Sequence, residues 1–130
     1  MVDLNNLFQS ADWKKEKHTP VIEIIGKAKR AEPINMKVMV GKEVTHPNTT
    51  EHHIRWIDVY FLPEGEKFPY EIGKSEFTAH GASTGGSNSS TIYSDPITSF
   101  TFKTEKHGTI IAFSFCNIHG LWQNTLELKL

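Results

Sequence analysis

Apolar residues recur at every second position along most of this chain, and nowhere do they form a helical stripe of about 12 residues. Side chains alternate between the two faces of a sheet, so runs with a period of two predict strands. Val21–Ile25 is a short apolar run stopped by Gly26. Met36, Val38 and Val40 alternate with Lys37 and Met39 up to Gly41. In residues 53–61, alternation puts Ile57, Val59 and Phe61 on one face and Ile54, Trp56 and Tyr60 on the other, as in a strand covered on both sides. Pro63-Glu64-Gly65-Glu66 reads as a turn, residues 68–79 as a weaker strand containing Gly73, and residues 81–90 (GASTGGSNSS) as a small-residue loop. Phe100 and Phe102, then Ile111, Phe113 and Phe115, then Leu126, Leu128 and Leu130 complete the pattern. About seven short strands with turn residues between them predict an all-β chain folded as an antiparallel β-sandwich. Residues 1–15 read as a polar N-terminal arm with a helical turn around Leu4, Leu7 and Phe8, and residues 16–130 as one domain.

A length of 130 residues suits a single domain, and 38% hydrophobic with 22% charged residues suits a packed core rather than disorder. No apolar run approaches the roughly 18 residues of a membrane span, and the N-terminus has no apolar core of a signal peptide, so the expectation is a cytoplasmic protein with no membrane partner. A net charge of −1 sets nucleic-acid binding aside, since that chemistry asks for a strongly basic face. The single cysteine excludes an internal disulfide and any metal cluster held by cysteines alone.

Histidine is the unusual residue, with seven copies. In Cys116-Asn117-Ile118-His119, a strand-to-turn junction can aim a thiolate and an imidazole at one point, a donor pair suited to zinc, copper or iron. Taken alone, the motif reads equally well as a small buried cysteine beside a surface histidine. In His46-Pro47-Asn48-Thr49-Thr50-Glu51-His52-His53, Pro47 favours extended geometry at His46, and the following turn lets His52 return toward it. His53 should point away from His52, so only one of the two should be a ligand. Such a pair alone is more often a solvated loop feature. Glu16-Lys17-His18 precedes Pro20 where the arm enters the sheet, and Glu16 and Lys17 alone read as a solvated ion pair. His80 and His107 sit in turns and carry no assignment.

Four histidines and one cysteine are one donor too many for closed tetrahedral zinc and suit a metal that keeps a position open. No GxSxG, HExxH or glycine-rich phosphate loop supports a hydrolase or nucleotide enzyme. A blue-copper site asks for two histidines, one cysteine and a weak axial methionine, yet Met1, Met36 and Met39 all precede Cys116. A structural zinc module and a non-enzymatic electron carrier on the same sandwich remain the competing readings.

Four blocks together are specific: EKHTP (16–20), HPNTTEHHIRWIDVYFLPEG (46–65), SEFTAHG (75–81) and CNIHGLW (116–122). In their order and rare residue types they resemble superoxide reductases of the neelaredoxin type, one-iron relatives of desulfoferrodoxin, over residues 16–122. The resemblance implies an immunoglobulin-like sandwich that reduces superoxide to hydrogen peroxide at a mononuclear non-haem iron. His18, His46, His52 and His119 match the equatorial imidazoles, and Cys116 the axial thiolate. Glu16 matches a carboxylate that closes on the oxidised metal, and Lys17 the cation beside the open position. No cysteine precedes Cys116, so the cysteine-held iron domain of the larger relatives is not expected. N–H groups of Asn117, Ile118 and His119 are expected to hydrogen-bond the Cys116 sulfur. A rubredoxin-like electron donor and a homotetramer are further implications of the resemblance.

Overall fold

The computed structural model describes residues 1–130. Eight strands follow in chain order: β1 (Phe8–Gln9), β2 (Val21–Ile25), β3 (Ile34–Met39), β4 (Ile54–Pro63), β5 (Tyr70–Glu76), β6 (Ile97–Phe102), β7 (Gly108–Cys116) and β8 (Gly120–Leu128). They form two facing sheets, a five-stranded one in the order β1-β8-β7-β4-β5 and a three-stranded one in the order β2-β3-β6. The chain crosses between sheets after β1, β3, β5 and β6, and antiparallel pairing of β3 with β6 and of β4 with β7 joins its hairpins into an immunoglobulin-like sandwich. The seven longer strands match the sequence expectation, with the weak strand around Gly73 shortened to β5.

Ile34, Met36, Val38, Ile57, Val59, Phe61 and Ile110 fill the space between the sheets and are almost fully buried. At the usual ~25 cal/mol per Å² of apolar surface, each such side chain contributes about 1.5–3 kcal/mol. On β7 the inward face is the small one, Ala112, Ser114 and Cys116, while Phe113 and Phe115 lie half-buried on the outer face. There Phe113 packs edge-on against Phe8 and Tyr60, and Phe115 stacks on Trp56.

Two local features depart from simple alternation. The β4–β7 register shifts between Ile54 and Trp56, so Ile54 joins Ile57, Val59 and Phe61 in the core rather than facing out with Trp56. An inserted residue in one strand reverses the faces on one side of it. The arm holds a 3-10 turn at Leu4–Asn6, and β1 then pairs in parallel with β8. The Gln123 side-chain amide fixes that pairing from the side, its Nε2–H donating to the Phe8 carbonyl at 3.1 Å.

Candidate metal centre

At one end of the sandwich, four chain segments converge: the entry to β2, the loop after β3, the entry to β4 and the β7–β8 turn. Each brings histidine. His18 is buried just before β2, where the Ser114 hydroxyl donates to its carbonyl at 3.2 Å and Trp122 stacks on its ring at 4.8 Å and 11°. His46 follows the reversal at Gly41, whose φ of +86° is in the left-handed region. A Cβ there would also lie 2.8 Å from the His46 nitrogen, so both backbone conformation and space require glycine. His52 is held by a short closed loop in which its N–H donates to Thr49 Oγ1 at 3.0 Å and its carbonyl accepts from Thr49 N–H at 2.9 Å. Cys116 is the last residue of β7 and fully buried, and His119 stands exposed on the turn before Gly120.

The four rings close a square. Centroid separations run 4.7 Å from His18 to His46, 4.7 Å from His46 to His52, 5.0 Å from His52 to His119 and 4.8 Å from His119 back to His18. The His18–His52 diagonal is 6.3 Å. Donor atoms of His18, His52, Cys116 and His119 all lie within 4.8 Å of one another. His18 Nε2 faces His119 Nδ1 at 3.1 Å, and the Cys116 sulfur is 3.9 Å from the same His119 nitrogen.

His18 and His46 each have their outer ring nitrogen occupied. His18 Nδ1 is 2.5 Å from Glu16 Oε1, and His46 Nδ1 is 2.6 Å from the Pro47 carbonyl. Each contact places a proton on Nδ1 and makes Nε2 the ring nitrogen that can meet a metal. Nε2 of His46 and Nε2 of His52 are buried without a hydrogen-bond partner. An orphaned buried polar atom costs about 1–3 kcal/mol. Two of them beside a thiol and two further imidazoles are the donor set of a metal cage, and the residues fit one. Burial pushes the His46 imidazole down to about 4, and nearby positive charge from His18, His52 and Lys17 adds to the shift. His52 is lowered by burial and by His119, His18 and Lys17. Neutral imidazole is the form that binds a metal.

Glu16 shows why this cluster stays ordered. Its Oε2 accepts from His18 N–H at 2.5 Å and from Thr19 N–H at 2.9 Å, while Oε1 meets the His18 ring. Burial pushes its carboxyl up, but these hydrogen bonds together with the His18 charge leave it below the ordinary value. Lys17 is half-buried next to it, and its charge reaches both His46 and His52.

The seven residues singled out in the sequence lie together: the donor atoms of His18, His52, Cys116 and His119 form one group, the His46 ring adjoins His18 and His52, and Glu16 and Lys17 lie next to them. His53 does not join them. It precedes β4, so the loop and not strand alternation turns its ring away, onto His80 at 3.4 Å. His107 lies at the other end of the sandwich and accepts from Leu130 N–H at 2.9 Å. A cavity of about 370 Å³ at that end, lined by Glu64, Glu66 and Glu127 among others, has no part in the cluster. One expectation is corrected. Only His119 N–H reaches the Cys116 sulfur, at 3.4 Å, because Asn117 N–H is taken by the His53 carbonyl at 3.2 Å. Sequence reasoning also missed Trp122, whose indole N–H donates to the His119 carbonyl at 3.2 Å while its ring covers His18. Its place in the block CNIHGLW was the available signal.

Comparison with known proteins agrees with this geometry. The sequence profile of the desulfoferrodoxin family matches residues 10–125. A putative superoxide reductase of Archaeoglobus fulgidus is 60% identical over 126 residues, covering 95% of this chain and 98% of that protein. The superoxide reductase of Pyrococcus furiosus is 54% identical over 126 residues, covering 97% and 99%. Among solved structures, the reduced form of the Archaeoglobus fulgidus superoxide reductase (neelaredoxin) superposes with a TM-score of 0.90 at 59% identity, over 95% of this chain and 99% of that one.

Proposed function

The chain belongs to the desulfoferrodoxin family, and on that footing we propose that it is a superoxide reductase, adding one electron and two protons to superoxide to give hydrogen peroxide without releasing oxygen. The observation that carries this reading is the closed square of four imidazoles with a buried thiol behind it. A mononuclear iron held by His18, His46, His52, His119 and Cys116 would supply a one-electron couple.

The protein's own groups have separable tasks. Cys116 would hold the metal through its sulfur, and the His119 N–H donated to that sulfur would moderate the charge it supplies. Lys17 attracts an anionic substrate that a net charge of −1 does not. Glu16 holds the Nδ1–H of His18 in the present arrangement. To reach the metal in an oxidised state, its carboxylate must give up its contacts to His18 and Thr19, so closing and orienting are alternative tasks of one side chain. A rubredoxin-like electron donor, a homotetramer, a cytoplasmic location, and a division into arm 1–15 and domain 16–130 belong to the same proposal. No helix of the chain is long and apolar enough to cross a membrane. The names of the relatives favour an enzyme over an electron carrier.

Metal analysis combined with optical spectra tests the reading. One iron per chain is expected, with a visible charge-transfer band that bleaches on reduction and returns when superoxide is added. The Cys116→Ala variant should fold and lack that band. Copper with an intense blue band would point to an electron carrier, and stoichiometric zinc without colour would exclude superoxide chemistry.

A further inference from the structure

The β4–β7 ladder ends at the pair Ile54 and Cys116. One residue further on, the chain at Asn117 bends into the turn, so its backbone offers His53 one bond instead of two. Asn117 N–H donates to the His53 carbonyl at 3.2 Å, and the side-chain Oδ1 accepts from His53 N–H at 2.8 Å. The side-chain amide thus replaces the missing peptide group. Its Nδ2–H then reaches past His52 to the Glu51 carbonyl at 2.8 Å. The backbone on both sides of His52 is fastened to a single residue, and that residue adjoins Cys116 and precedes His119 by two.

The far side of the loop is fixed separately. The His53 ring stacks on His80 at 3.4 Å and 6°, its Nδ1 lies 2.9 Å from the Thr49 carbonyl, and His80 Nε2 lies 2.6 Å from the Phe77 carbonyl. These contacts place the 49–53 loop on the sandwich without linking it to the β7–β8 turn. Asn117 makes that link. We propose that Asn117 is a positioning residue for the metal centre, fixing the spacing between the loop that carries His52 and the turn that carries Cys116 and His119. The inference rests on the reading of those three residues as ligands. Residue type matters here: alanine leaves His53 N–H and the Glu51 carbonyl unpaired, whereas aspartate keeps the first bond and loses the second.

Wild type, Asn117→Ala, Asn117→Asp and His52→Ala are loaded anaerobically with ferrous ion, and its release into excess chelator is timed. The metal-free forms are melted in parallel. Loss of a group that directly orients a metal ligand typically costs about 10–100-fold in affinity, and Asn117 orients His52 through the backbone of its two neighbours. Asn117→Ala should therefore release iron about 10–100-fold faster than wild type, and Asn117→Asp should fall between the two. Asn117→Ala, which strands the buried His53 N–H, should also melt lower without metal, whereas metal-free Asn117→Asp keeps that bond and should melt close to wild type, so its faster release separates positioning of donors from a general weakening of the fold. Should Asn117→Ala not fold, Asn117→Asp makes the same comparison. Fast release from His52→Ala with wild-type release from the Asn117 variants overturns the inference alone. Wild-type release from His52→Ala overturns the ligand reading and the inference with it.

Discussion

A histidine in a protein usually serves as a surface base, a satisfied core residue or a ligand, and this chain sets its seven copies in different surroundings. What separates the ligand candidates is the direction of the unpaired nitrogen: inward for His46 and His52, where no protein group answers it. His53 and His80 also bury an unpaired nitrogen each, but their flat stack lies outside the square. The two neighbouring rings do part, His52 toward His119 and His53 onto His80, but the reason read from the sequence, strand alternation, does not apply to a loop that precedes β4. The charged residues at the rim follow a different logic. Lys17 acts through space, so its effect depends on screening, which shortens the reach of a charge to about 8–10 Å near physiological salt. Lys17→Ala should slow superoxide capture more at low ionic strength than at high, measured by pulse radiolysis or stopped flow across a salt series. An unchanged salt dependence would remove this lysine from substrate attraction.

At the scale of strands and turns, the alternating pattern made the sandwich legible, because apolar side chains at every second position can be buried only by a sheet. It did not say which set faces inward on β7. The bulky set, Phe113 and Phe115, lies outside since the sheets close tightly on Ala112, Ser114 and Cys116. Nor did it show the register shift at Ile54, as an extra residue leaves no mark in composition. The parallel β1–β8 pair was equally hidden, resting on two residues and on Phe8 against Phe113. Turns make the sharpest prediction here. Gly65 and Gly41 have similar φ values, +81° and +86°, but only at Gly41 would a Cβ meet backbone, 2.8 Å from the His46 nitrogen. Gly65→Ala should cost about 1 kcal/mol from backbone strain, a fall of about 4 °C in melting temperature, with metal retention unchanged. Gly41→Ala should cost more and also weaken metal binding, because His46 has to move. Equal metal retention in the two variants, measured by chelator competition, would separate Gly41 from the site.

Across the whole molecule, the metal-free protein carries the cost of its cage as acid sensitivity. The folded-state value of His46 is depressed from 6.5 to about 4, and that of His52 is lowered too, so the unfolded chain binds protons that the folded chain refuses. Stability is therefore full above about pH 6.5 and falls as pH drops toward 4. Melting the metal-free protein at a series of pH values from 7.5 to 4.5 should show this decline, and ferrous ion should raise the melting temperature most at the upper end, where the imidazoles are unprotonated. A flat profile between pH 7 and 5 would contradict the buried, neutral state of these rings. Finally, His18 and His119 face each other although 101 positions separate them in the chain. During synthesis the first ligand leaves the ribosome long before the last, and β1 waits on β8 for its only partner. On the proposed ligand set, the full group of donors therefore comes together only once the β7–β8 turn has joined the segments that precede it.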